Sequence, residues 1–353
     1  MSIKEFLKET VERKASDLHI SAGVPPCFRI DGNLVPVELP ALSPETSKAL
    51  CYSILNEEQK KHFEKFKEID FSYGISGISR FRVNLYWQRG SVAGAFRPIP
   101  FQIPSFEELY LPIDIMKKFS SFTHGSVFVT GPTGSGKSTT VAALINYINE
   151  TKHYHIISVE DPIEYLFKHK KSIIHQREIE EDTTSFAEAL RHILREDPDM
   201  VFIGEMRDME TVKSALNIAE TGHLVFSTLH TGEAVEVINR IIDIFPPGQQ
   251  QQIRIQLSLT LSGVMCQQLL PKAGGKGRVL ATEVMIMTPA IKNLIRENKP
   301  HEIYSHILLG KKYGMNTMNQ FLVKLYREKV ITFETAVERS AKPGELIKLI
   351  KES

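Results

Sequence analysis

The spacing of apolar residues changes character near residue 110. Residues 2–14 put Ile3, Phe6, Leu7 and Val11 on one side of a predicted helix. ASDLHIS and PPCFRIDGNLVPV follow, and Asp31-Gly32 between two apolar runs predicts a hairpin, because both residues tolerate the backbone of a tight turn. LSPETSKALCYSILNEEQKKHFEKF predicts two short helices, the first entered through Ser43-Pro44. DFSYGISGISRFRVNLYWQRGSVAGAFRPIP then alternates apolar and polar residues between Gly/Ser turns, as an antiparallel meander does. These elements predict a small α+β domain over residues 1–98.

Pro98, Pro100, Pro104 and Pro112 suit an extended linker, placed at residues 99–112, rather than a helix or central strand. Beyond it the pattern becomes short apolar runs alternating with helices. GSVFVTG precedes a helix expected from about 137 to 150. HIISVED, DMVFIGE and HLVFSTLH are further runs, each expected to have a helical segment behind it. Such alternation predicts an α/β domain, a parallel sheet covered by helices, over 113–353. From about residue 288 the chain reads as mainly helical.

Composition narrows the function classes. Lys plus Arg is 43 against 42 for Asp plus Glu, so no global field recruits nucleic acid. Cys27, Cys51 and Cys266 are isolated, which gives no zinc or disulfide framework and fits a reducing cytoplasm. No apolar stretch has the length of a signal peptide or a membrane span. Any membrane role is therefore expected through a partner or from the surface.

The chemistry centres on GPTGSGKST, comprising Gly131, Pro132, Thr133, Gly134, Ser135, Gly136, Lys137, Ser138 and Thr139. It matches G-x-x-x-x-G-K-[ST], with a predicted strand before it and a helix after it. Glycines let backbone N–H groups curl around phosphate oxygens, and the helix N-terminus adds partial positive charge. Lys137 suits the β- and γ-phosphates of ATP, and Ser138 suits Mg2+. A glycine-rich turn with a chance lysine is the bland alternative, and the flanking elements argue against it.

Hydrolysis also needs carboxylates where strands end. ISVEDPIEY supplies Glu160, Asp161 and Glu164, and PDMVFIGEMRD supplies Glu205. Such acids can orient water and hold Mg2+ with its waters, although solvated loop acids would look the same.

In order and spacing, GPTGSGKSTT, VEDPIEY, REDPDMVFIGEMRD and ETGHLVFSTLHT resemble the secretion ATPases of the type II and type IV pilus systems. ASDLHISAGVPPCFRIDG and SRFRVNLYWQRG resemble that family's N-terminal domain, so the likeness runs nearly the whole chain. The retraction branch is the best match. The chain begins directly at the small domain and lacks the four-cysteine zinc insertion of the assembly and secretion members. AIKNLIRE (290–297) is similar to the branch's A-I-R-N-L-I-R-E helix, with Lys292 in place of arginine. Lys is no equivalent where a bidentate contact is made. Ser227 also replaces the commoner glycine or alanine, a mild packing change.

The resemblance implies an N-terminal PAS-like α+β domain joined to a RecA-like P-loop ATPase domain with a helical C-terminal region. It implies a homohexamer that hydrolyses ATP with Mg2+ to retract type IV pili in twitching motility. Its partners would be the inner-membrane pilus platform protein and an accessory retraction ATPase. Glu164 would be the catalytic base and Glu205 the Walker B acid. Arg82 and Arg97 match arginines near the phosphates, and Arg191 and Arg195 match arginines for nucleotide sensing or subunit contact.

From spacing alone, Arg80 and Arg82 share one strand face with Arg97 one hairpin arm away. They fit a γ-phosphate sensor or an ordinary exposed sheet face. In the 290–297 helix Thr288-Pro289 is a cap, and Ile291, Leu294 and Ile295 form the buried stripe. Its outer face, Lys292, Asn293, Arg296 and Glu297, suits a partner or only solvent.

His223 and His230 bracket one predicted strand, which puts them about 23 Å apart at ~3.3 Å per residue. His230 then lies at the phosphate end as a sensor, and His223 braces the other end, although the family groups both in one box. The rival functions are a pilus assembly or type II secretion ATPase, a RecA-like nucleic-acid motor and an ATP-binding accessory subunit.

Overall fold

The computed structural model describes residues 1–99 and 102–352. Pro100, counted among the linker prolines, lies outside them, as does Phe101. The chain divides into two compact units, Met1–Gln102 with Glu164–Leu166, and Ile103–Ile163 with Phe167–Ser353.

The first unit contains α1 (Ile3–Glu12), β1 (Asp17–Ile20), β2 (Cys27–Ile30), β3 (Asn33–Pro36), α2 (Pro44–Tyr52), α3 (Glu57–Phe66), β4 (Glu68–Ile75), β5 (Ser79–Gln88) and β6 (Ser91–Ile99). Local chemistry starts each helix. Ser2 and Asn56 form capping boxes with Glu5 and Gln59, and Ser43 caps the helix that opens on Pro44. The sheet order is β3-β2-β1-β6-β5-β4, antiparallel throughout. Asp31 and Gly32 both have positive φ, 48° and 84°, as a two-residue hairpin turn requires. Along β5 the period of two buries Phe81, Val83 and Leu85 completely. Arg80 and Arg82 therefore take the other face, and the register sets Arg82 directly opposite Arg97 of β6.

The second unit runs α4 (Ile113–Ser121), β7 (Gly125–Thr130), α5 (Lys137–Thr151), β8 (His155–Glu160), β9 (Ile173–Glu178), α6 (Phe186–Ile193), β10 (Met200–Ile203), α7 (Met209–Glu220), β11 (Leu224–Leu229), α8 (Ala234–Asp243), α9 (Pro247–Thr260), β12 (Leu261–Pro271) and β13 (Arg278–Ile286). Helices α10 (Pro289–Arg296), α11 (Ile303–Leu308), α12 (Met318–Arg327), α13 (Phe333–Arg339) and α14 (Pro343–Lys351) complete it.

Its sheet order is β13-β12-β7-β11-β10-β8-β9, parallel except for the antiparallel edge strand β13. The α/β character and parallel sheet expected from the sequence are present. Strands β7, β10 and β11 are buried at every position, which is why they read as unbroken apolar runs. Each fully buried Val, Phe or Leu there contributes about 1.5–3 kcal/mol.

Two details differ from the sequence reading. A helix was expected behind the HIISVED run, but β8 leads through a loop into another strand, β9. The β12–β13 hairpin was not among the expected strands. Thr260 ends α9 and Leu261 starts β12 with no glycine or proline between, so punctuation gives no warning.

Register decides where the site forms. Thr130 pairs with Leu229, and Ile203 pairs with both Ser227 and Val159. The carboxyl ends of β7, β8, β10 and β11 thus share one sheet edge, the usual ligand edge of an open α/β sheet. Ser227, fully buried in β11, donates its hydroxyl to the Ile203 carbonyl at 2.8 Å, so the polar substitution is satisfied.

Candidate nucleotide site

Between β7 and α5 the loop Gly131–Gly136 turns tightly. Gly131 has φ 146°, and a Cβ there would meet the Gln267 carbonyl oxygen at 2.2 Å. Gly136, with φ 87°, occupies the N-cap of α5 and supplies no side-chain cap. A helix start without a side-chain cap, with its partial positive charge, suits an anion. Pro132, Thr133 and Gly134 are exposed at the tip, Ser135 is buried beneath it, and Ser138 is exposed on the first turn with Thr139 beside it.

Lys137 is the first residue of α5 and is only 8% exposed. Its Nζ donates to the carbonyls of Gly131 at 2.8 Å and Pro132 at 3.1 Å. Burial pushes its pKa down, and the nearby Glu205 carboxylate pulls it back up. His230, directly after β11, puts Nδ1 3.5 Å from Lys137 Nζ and Nε2 3.4 Å from Glu205 Oε2. One tautomer serves both contacts, with Nδ1 accepting and the Nε2 proton donated to Glu205. The other Glu205 oxygen pairs with Arg207 Nε at 2.7 Å. The edge thus gathers Lys137, Glu205, His230 and Arg207 around the helix N-terminus.

The remaining predicted residues fall in several places. Glu160 ends β8, buried, with Oε1 accepting from Ser158 Oγ at 2.6 Å and Gln176 Nε2 at 3.2 Å, while Asp161 is exposed. Glu164 groups with the first unit and pairs with Arg82 at 3.1 Å. Arg97 pairs with the nearly buried Asp17 at 2.9 Å. Arg191 pairs with Glu188 at 2.9 Å and Glu210 at 3.2 Å, and Arg195 is exposed. His223 sits at the opposite end of β11 from His230. Its Nδ1 lies 3.0 Å from Thr221 Oγ1, and its carbonyl accepts from Gly125 N at 3.0 Å.

Sequence reasoning missed three contributors. Arg207 lay inside the quoted GEMRD stretch with no role assigned. Gln267 donates Nε2 to the buried Ser135 carbonyl at 2.7 Å, bracing the loop from β12. Thr130 Oγ1 accepts from Thr231 N at 2.8 Å and fastens the His230 turn to the end of β7.

On α10, Thr288 caps through Ile291 N at 3.3 Å, and Ile291, Leu294 and Ile295 are buried. Helix α9 holds its end through Gln251 on the Arg296 carbonyl and Arg254 on Asn298. Lys292 is half-buried.

Comparison with known proteins identifies the family. The sequence profile of the family described as Type II/IV secretion system protein matches residues 112–336. The chain is 48% identical over 343 residues to the type IV pilus retractation ATPase PilT of Pseudomonas aeruginosa, covering 97% of this chain and 99% of that one. It is 47% identical over 315 residues to a twitching motility protein of Neisseria gonorrhoeae, covering 89% and 84%. Among solved structures, the pilus retraction motor PilT with bound ADP superposes with a TM-score of 0.91 at 54% identity, covering 99% of both chains. With the family profile matching more than half of its length and relatives similar from end to end, the chain belongs to the type II/IV secretion system protein family.

Proposed function

We propose that this protein is a Mg2+-dependent ATPase motor that powers type IV pilus retraction, disassembling the pilus in twitching motility. The observation that carries this reading is the convergence of Lys137, Glu205 and His230 on the uncapped N-terminus of α5. It occurs in a chain similar throughout to proteins named for pilus retraction and twitching motility.

The donor set suits a nucleotide and its cation. Gly131 excludes a Cβ, and the buried Ser135 Oγ and Gln267 Oε1 have no hydrogen-bond partner. Among the described residues, no three or more His, Cys, Asp or Glu side chains are grouped to hold a metal. A cation would therefore be completed by phosphate oxygens and water. When bound, Mg2+ would neutralise charge on the transferring phosphoryl group. Ser138 would hold it directly and Glu205 through water. Lys137 would exchange the Gly131 and Pro132 carbonyls for β- and γ-phosphate oxygens, and His230 would turn a ring N–H to the γ-phosphate. Glu164 is assigned as the base that orients water. Glu160, Asp161, Arg82, Arg97, Arg191 and Arg195 are assigned nucleotide-linked roles more broadly, and His223 a bracing role at the other end of β11.

The wider reading joins a PAS-like domain (1–98) through a linker (99–112) to a RecA-like P-loop domain (113–353), working as a homohexamer. It places the motor at the cytoplasmic face of the inner membrane, acting on the pilus platform protein together with an accessory retraction ATPase. No helix among the described residues is long and apolar enough to cross a membrane. Deletion in the parent organism tests the direction of work. Hyperpiliated cells that do not twitch are expected, and bald cells would assign pilus assembly instead.

A further inference from the structure

Glu283 is a carboxylate the proposed chemistry does not use, and it lies deep in the second unit, 2% exposed, on edge strand β13. Its Oε1 accepts from Ala234 N, the first amide of α8, at 2.8 Å, and its Oε2 accepts from Met318 N, the first amide of α12, at 3.2 Å. Two positive helix ends from distant parts of the chain thus share one carboxylate. Burial pushes its carboxyl pKa up, and the two amides oppose that shift.

Ordinary capping does not account for this arrangement. Helix α12 has its own capping box in Thr317 and Gln320. Ahead of α8, Glu236 already accepts from the amides of Gly232 at 2.9 Å and Glu233 at 3.2 Å. A buried carboxylate is a costly way to satisfy two amides unless the connection itself matters.

The connection begins at the nucleotide site. Each amide from Thr231 to Ala234 has a side-chain acceptor. Thr130 takes the first, Glu236 the next two and Glu283 the last. Thr130 is on β7 and Glu236 is on α8 itself, so Glu283 is the acceptor that ties the His230 turn to β13. The start of α12 is held to that strand as well. Val284 and Asn316 exchange backbone hydrogen bonds at 2.9 and 3.3 Å, and Asn316 Nδ2 donates to the Thr282 carbonyl at 2.5 Å.

We propose that Glu283 is a positioning residue that couples the His230 turn to the C-terminal helices, so that nucleotide-dependent movement of residues 230–234 is transmitted to α12. The inference rests on the reading that His230 faces the γ-phosphate.

Hydrogen exchange on the full-length protein tests it, with wild type and Glu283→Gln each measured with and without Mg2+ and a non-hydrolysable ATP analogue. Gln keeps one acceptor oxygen but turns an NH2 towards the other amide. In wild type the analogue is expected to slow exchange in both 230–238 and 318–326. In Glu283→Gln the response at 230–238 persists, whereas that at 318–326 shrinks by about tenfold. ATP turnover is expected to show a split, with kcat about tenfold lower and KM within about twofold of wild type. An unresponsive 318–326 segment in wild type overturns the coupling, whether or not the variant folds. So does an identical response in both proteins. If wild type binds the analogue but hydrolyses no ATP, the ATPase reading fails, and the exchange comparison still decides the coupling.

Discussion

His230 Nε2 lies 3.4 Å from Glu205 Oε2, which joins the end of β11 to the end of β10 across the sheet edge that carries Lys137. The ring is therefore oriented before any ligand arrives, with its second nitrogen aimed at the Lys137 ammonium. A ligand oxygen that draws Lys137 away from the Gly131 and Pro132 carbonyls changes both contacts of the imidazole. That sensitivity suits a residue distinguishing ATP from ADP.

His230→Ala is expected to weaken an ATP analogue by about tenfold while leaving ADP within about twofold, since it removes one hydrogen bond to a charged group. His223→Ala, whose ring is engaged by Thr221 at the other strand end, should leave both affinities near wild type. Titration of a fluorescent nucleotide pair reads the difference. Equal loss of ATP affinity in the two variants would contradict separate roles.

Glu205→Gln keeps the shape of the side chain and removes its charge. Turnover is expected to fall by about 100-fold or more, because both the proposed cation contact and the His230 orientation depend on that charge. Isothermal titration without Mg2+ should still show ADP binding. Near-normal turnover would remove Glu205 from the chemistry.

Gly131→Ala forces a Cβ against the Gln267 carbonyl, at 2.2 Å in the present backbone, and strains a residue at φ 146°. Backbone strain of this kind costs about 1–3 kcal/mol, which lowers the melting temperature by several degrees, roughly 2–4 °C per kcal/mol for a unit of this size. Calorimetry checks the shift, and an unchanged melting temperature would mean that the loop relaxes freely.

Gln267→Leu removes the donor to the Ser135 carbonyl at 2.7 Å and leaves that oxygen unpaired inside the loop. Affinity for ADP and ATP should fall together by roughly fivefold to tenfold, reflecting about 1 kcal/mol or more for an unmet buried acceptor. A loss confined to ATP would place Gln267 at the γ-phosphate instead of beneath the loop.

What was legible in the sequence followed short-range chemistry. Asp31-Gly32 announced its hairpin, and the apolar run before Gly131 together with the helix after Gly136 announced the loop. One strand of six residues between His223 and His230 was enough to separate them, because strand length sets distance. The parts that stayed hidden depend on neighbours remote in sequence. Gln267 reaches Ser135 from 132 positions away, on a strand that follows a helix without punctuation. Glu283 reads as an ordinary polar position until β13 folds against two helix starts. Arg97 showed a face and a period, but nothing local revealed that Asp17 would pair with it from β1.

The most direct measurement is phosphate release by the purified protein and by Lys137→Ala, each with ATP and with or without Mg2+. Mg2+-dependent release by wild type is expected, with a loss of about 100-fold or more in the variant, because the Lys137 ammonium lies beside the uncapped N-terminus of α5 proposed to hold phosphate. Equal release by both proteins would contradict the assignment of this loop as the catalytic phosphate site.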